Sequence, residues 1–92
     1  MDQDMLKQLV DAIRQIVDLL YQENIEAGYK ALYIVLPYLE RMIVETDNTE
    51  FQNELKEKLE EALHAMEDGD NILLADIMQY EVLEIIESYI EG

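Results

Sequence analysis

The 92-residue chain has no cysteine, no tryptophan, one histidine, one proline and three glycines. Without cysteine there is no disulfide, no thiol nucleophile and no thiolate metal site, and the redox compartment stays open. One histidine and no glycine-rich phosphate loop remove most catalytic templates. The single formal metal match is Glu61-Ala62-Leu63-His64, the Glu-x-x-His spacing of di-iron helical bundles. Such a site needs two of these motifs facing a core, and here one occurs, on the helix face opposite the apolar stripe. The carboxylates fall on solvated faces rather than as a converging pair. A non-enzymatic chain without cofactor or metal is the expectation.

No apolar run approaches the roughly 18 residues of a membrane span. The start, Met1-Asp2-Gln3-Asp4, is acidic, unlike the basic opening of a secretory signal. A cytoplasmic protein is therefore expected.

Basic residues are also scarce. Six Lys and Arg stand against 22 Asp and Glu, a formal net charge of −16. Phosphate backbones and anionic lipid repel such a chain, which disfavours nucleic acid and membrane as partners. Residues 1–46 carry eight acids against Lys7, Arg14, Lys30 and Arg41, a net of −4. Residues 47–92 carry fourteen against Lys56 and Lys58, a net of −12, with no base after Lys58. The imbalance serves solubility, or it steers a partner with a basic patch to the second half.

What is abundant is helical periodicity, in a chain that is 50% hydrophobic and 30% charged. In the first helix Met5, Leu6, Leu9, Val10, Ala12, Ile13, Ile16, Val17, Leu19, Leu20 and Tyr21 form an apolar face wide enough for two neighbours, and Asp2 or Asp4 caps it. Asn24 opens the second helix, whose band includes Ile25, Leu32, Ile34, Val35, Leu39 and Met42. Gly28 permits close approach of the first helix, and Pro37 should kink or split the second. Tyr29 and Tyr33, one turn apart, form a candidate patch with polar tips.

Asn48 or Thr49 caps a third, narrowly apolar helix, with Thr49 and Gln52 at capping-box spacing and Glu54–Lys58 as an i,i+4 pair. Asp68-Gly69-Asp70 ends it by turn chemistry, since the further ligands of an EF-hand loop are missing. The last helix has a broad core face that includes Ile72, Leu74, Met78, Val82, Ile86 and Tyr89. Leu73, Ile77 and Tyr80 intrude on its polar side as one stripe, edged by Asp76, Glu81 and Glu84.

Glu67-Asp68-Gly69-Asp70 with Leu74-Ala75-Asp76-Ile77 and Tyr80-Glu81 resembles the ending of small uncharacterised acidic helical-bundle proteins of bacteria. Glu26-Ala27-Gly28-Tyr29-Lys30-Ala31-Leu32 with Pro37-Tyr38-Leu39-Glu40 resembles their middle helix. These stretches cover about a third of the chain, and the resemblance implies no settled activity. In size and helix pattern alone the chain is also similar to the helical chaperones of the flagellar export system.

The expected fold is an all-α, up-down-up-down antiparallel four-helix bundle in one domain, with helices near 5–23, 25–45, 50–67 and 71–91. The expected function is protein binding by an adaptor or chaperone-like module. Its contact residues are Leu73, Ile77 and Tyr80, rimmed by Asp76, Glu81 and Glu84, with Tyr29 and Tyr33 as a second patch. The alternatives are a homodimer through the last helix and, behind it, an acidic nucleic-acid mimic.

Overall fold

The computed structural model describes residues 3–91. Helix α1 spans Gln3–Tyr21, α2 Ile25–Glu45 and α3 Thr49–Glu67. The last helix is continuous but built of three segments: α4 (Asn71–Ile77), a π-helical turn (Met78–Val82) and α5 (Leu83–Glu91). The four rods form an antiparallel all-α bundle, with no strand among the described residues. α1 packs on α2 and on the last helix, and α3 packs on the last helix and less extensively on α2. The long dimension of 35 Å slightly exceeds the ~30 Å of a helix of about 20 residues at 1.5 Å per residue.

The core is made where apolar periodicity from all four rods converges. Ile13, Ile16 and Leu20 meet Leu32 and Leu39, Leu55, and the series Leu74, Met78, Val82 and Ile86, all essentially inaccessible. Gly28 lets α2 pack closely on α1. A Cβ there would lie 2.9 Å from Leu20 Cδ2 and 3.3 Å from Leu20 Cγ.

Two helices end in the same way on different residues. After α1, Glu23 adopts a left-handed φ of 63°. Its amide donates to Leu20 O at 3.1 Å, and the Asn24 amide donates to Leu19 O at 2.9 Å. After α3, Gly69 takes φ 72°, its amide donates to Met66 O at 3.1 Å, and the Asp70 amide donates to Ala65 O at 2.9 Å. Both are Schellman closures, which satisfy the last free carbonyls of a helix.

Helix starts follow short polar side chains, with corrections. The Asn48 carboxamide oxygen accepts from the Phe51 amide at 3.0 Å, and Asp70 accepts from the Leu73 amide at 3.1 Å. Asn24 opens α2 without a side-chain cap bond. No capping box forms on Thr49, because Asn48 takes the cap position; Gln52 Nε2 instead donates to Ile43 O at 2.6 Å and ties α3 back to α2. Asp4 lies in the first turn of α1, while Asp2 is outside the described residues.

α2 runs unbroken through Pro37, which is exposed, so the carbonyl it leaves without a donor can reach solvent. Its buried set is the narrow series Gly28, Leu32, Val35, Leu39 and Met42. Ile34, expected in the core band, is 68% exposed. A helix with one main neighbour covers a narrower stripe than the sequence band offered.

The last helix departs from ideal α geometry for a reason visible in its residues. Leu74, Met78, Val82 and Ile86 recur every four positions and are all buried. In an ideal helix each four-residue step overshoots a full turn by about 40°, so four such residues would wind away from the core. The wider π turn at Met78–Val82 absorbs the excess and keeps the series facing inward.

Candidate functional site

The π turn sits beside a broad concavity. α3 and the last helix flank an open groove of about 930 Å³. From α3 come Glu50, Glu54 and Glu57; from the last helix come Glu81, Glu84, Glu87 and Glu91. Seven carboxylates thus face one trough, against one base, Lys58. Its exposed apolar surface comes from Tyr80, Ile85 and Tyr89, and it is also lined by Phe51, which is itself buried in the core. Phe51 and Tyr89 stack with ring centroids 4.2 Å apart and planes at 22°, a geometry that joins the two walls. Tyr89, expected in the core, is instead partly exposed at this seam.

Lys58 bridges the walls with its ammonium group, 3.1 Å from Glu81 Oε1 and 3.3 Å from Glu61 Oε2. The hydrogen bonds to Glu81 and then Glu61 raise its pKa further above the usual lysine value. The expected Glu54 partner is replaced by these two, because the last helix brings Glu81 within reach. On the outer ridge Arg14 Nη2 donates to Glu87 Oε1 at 3.1 Å, joining α1 to α5.

The residues singled out in the sequence divide. Tyr80, Glu81 and Glu84 line the groove. Leu73 is exposed but lies outside it, near the start of α4. Ile77 is 6% exposed and belongs to the core, so the Leu73–Ile77–Tyr80 row is not one surface stripe. The helix lies between α1 and α3, and together they cover more of its circumference than a single apolar face. Ile72, expected inside, is exposed at the first turn.

Asp76 is engaged. It accepts a hydrogen bond from the Tyr21 hydroxyl of α1. Tyr29 and Tyr33 do not form one patch. Tyr29 is half-buried and its hydroxyl donates to Asn71 Oδ1 at 2.5 Å, pinning α2 to the start of α4, whereas Tyr33 points to solvent. Glu61 and His64 are exposed, and among the described residues no group of three potential ligands converges on a metal position.

Sequence reasoning missed Phe51, Glu50, Glu54, Glu57, Ile85, Glu87 and Glu91. The signal was present as two acidic series at helical spacing, 50-54-57 and 81-84-87-91. Each reads alone as a solvated face; only packing sets them opposite one another.

Among the described residues no helix is long and apolar enough to cross a membrane. No curated protein and no solved structure matches the chain. A family model does, over residues 3–92: the chain belongs to the family described as a domain of unknown function, DUF8042.

Proposed function

We propose that this chain is a non-enzymatic protein-interaction module, a small acidic adaptor or chaperone-like protein of the bacterial cytoplasm. Its groove between α3 and the last helix receives a basic amphipathic segment of another protein. The observation that carries this reading is the pairing of seven carboxylates with an aromatic seam in one trough. A segment with Lys or Arg beside Leu or Phe satisfies both, as in helix-in-groove recognition. Carboxylates steer and orient it, and burial of its apolar side chains on Tyr80 and Tyr89 supplies affinity. Lys58 already holds the place of one incoming cation between Glu61 and Glu81.

The test is titration of labelled protein with a synthetic Lys/Leu amphipathic peptide, followed by amide chemical shifts. Shifts should map to the groove, and Tyr80→Glu or the pair Glu54→Lys and Glu84→Lys should each weaken binding at least tenfold, about 1.4 kcal/mol. Binding that vanishes with salt yet ignores Tyr80→Glu would instead fit a nucleic-acid mimic. Shifts spread over the whole surface would defeat the groove reading.

A further inference from the structure

The side of the bundle formed by α2 has a different character from the groove. Tyr33, Ile34, Tyr38 and Val44 are exposed there, Val44 at 79%, and Pro37 is exposed among them. At 100° per residue they occupy one broad face of the helix. Charge is nearly balanced on α2, with Lys30 and Arg41 against Glu26, Glu40 and Glu45. The bases are held by their own helix, Lys30 Nζ 3.6 Å from Glu26 Oε1 and Arg41 Nε 2.8 Å from Glu45 Oε1. By contrast α3 has two bases against six acids, and the last helix has five acids and no base. α1 is as balanced as α2, but its outer side is polar: Lys7, Gln8, Asp11, Arg14, Gln15 and Asp18 are all exposed.

Two copies of a chain with charge −16 repel one another, most strongly where acids meet acids. Among the helices, α2 alone joins near-neutral charge to exposed apolar area. We propose that a second copy of this chain covers it, the two α2 helices packing antiparallel about a two-fold axis beside Pro37 and Tyr38. A two-fold contact sets each residue opposite a reciprocal partner. In this register Lys30 faces Glu45 of the partner subunit, and the aliphatic stem of Arg41 covers Ile34 of the partner subunit. The two symmetry-related Lys30–Glu45 cross-pairs join opposite charges, so the Glu26–Lys30 and Arg41–Glu45 pairs link into one chain of alternating sign across the axis. Both acidic grooves stay open, giving a dimer with two sites for a basic segment. This inference is independent of what the groove binds.

The experiment is sedimentation equilibrium of the full chain across a wide concentration range at low and moderate salt. The expected result is association from the 10.8 kDa protomer to a dimer, strengthened by salt because salt screens the repulsion between copies. Ile34→Glu should weaken the dimer at least tenfold, and its helical circular dichroism should be unchanged because Ile34 is outside the core. Lys30→Glu should weaken it by placing two acids together, and adding Glu45→Lys in the same chain should restore it. A chain monomeric at every concentration and salt overturns the proposal, as does a dimer that survives Ile34→Glu. Loss of the dimer with Tyr80→Glu but not Ile34→Glu would move the contact to the last helix. A double variant no tighter than Lys30→Glu alone would overturn the antiparallel register.

Discussion

The hydroxyl of Tyr21, the final residue of α1, donates a hydrogen bond to the carboxylate of Asp76, 55 residues later in α4. That bond fixes one end of α1 against the last helix. It pushes the Tyr21 pKa from 10.0 up to about 12, chiefly because the carboxylate accepts the phenolic proton. A raised folded-state pKa means the neutral phenol is favoured by folding. The stability it contributes is fully present below pH 10 and is lost as pH rises through about 12. Phenolate absorbance titration should show one of the six tyrosines ionising after the rest, and Tyr21→Phe should remove that late step. If no late step is seen, or if it persists in Tyr21→Phe, the bond does not form in solution.

The two Schellman closures differ in strain. Glu23 holds a left-handed φ that suits glycine, so Glu23→Gly should stabilise the bundle by about 1 kcal/mol. Gly69→Ala imposes the same strain on the other closure, where no neighbouring atom lies within 4 Å of the new Cβ. It should destabilise by about 1 kcal/mol. Urea unfolding with constant m-value checks both, and opposite signs are the diagnostic outcome.

Ile77 and Tyr80 share a helix face by spacing but not by environment. Ile77→Ala should cost about 2–5 kcal/mol as a buried truncation. Tyr80→Ser, at 61% exposure, should stay within about 0.5 kcal/mol. Equal costs would mean that Tyr80 is packed in solution.

Seven carboxylates line one groove with a single lysine among them. Their repulsion opposes folding at low ionic strength, so the melting temperature should rise on going from low salt to roughly 0.15 M, where the Debye length is about 8 Å. Lys58→Met removes the lysine among them, leaving only the Arg14 pair with Glu87, and should make that rise larger. An unchanged melting temperature in both proteins would show that the acids are too dispersed to matter.

Sequence alone determined the helices, their number and their boundaries to within about two residues, because apolar spacing, the polar turn around Asn48 and Thr49 and the Gly69 stop are local properties; the structure chose Asn48 and Asp70 as the caps. It also determined the acidic asymmetry and the exclusion of thiol chemistry. The close approach at Gly28 was legible as well, since a missing Cβ in an apolar helix has few other uses. What only the tertiary structure decided depends on which helices are neighbours. One main neighbour for α2 left Ile34 and Val44 outside, while flanking helices on both sides of α4 drew Ile77 in. The four-residue repeat from Leu74 to Ile86 resolved into a π turn because the core, not the backbone, set the phase. The two acidic series became one groove because α3 and α5 pack side by side, and Phe51 meets Tyr89 across 38 positions of chain. Periodicity states which side of a helix is apolar, but only packing states how much of that side is covered and what faces the rest.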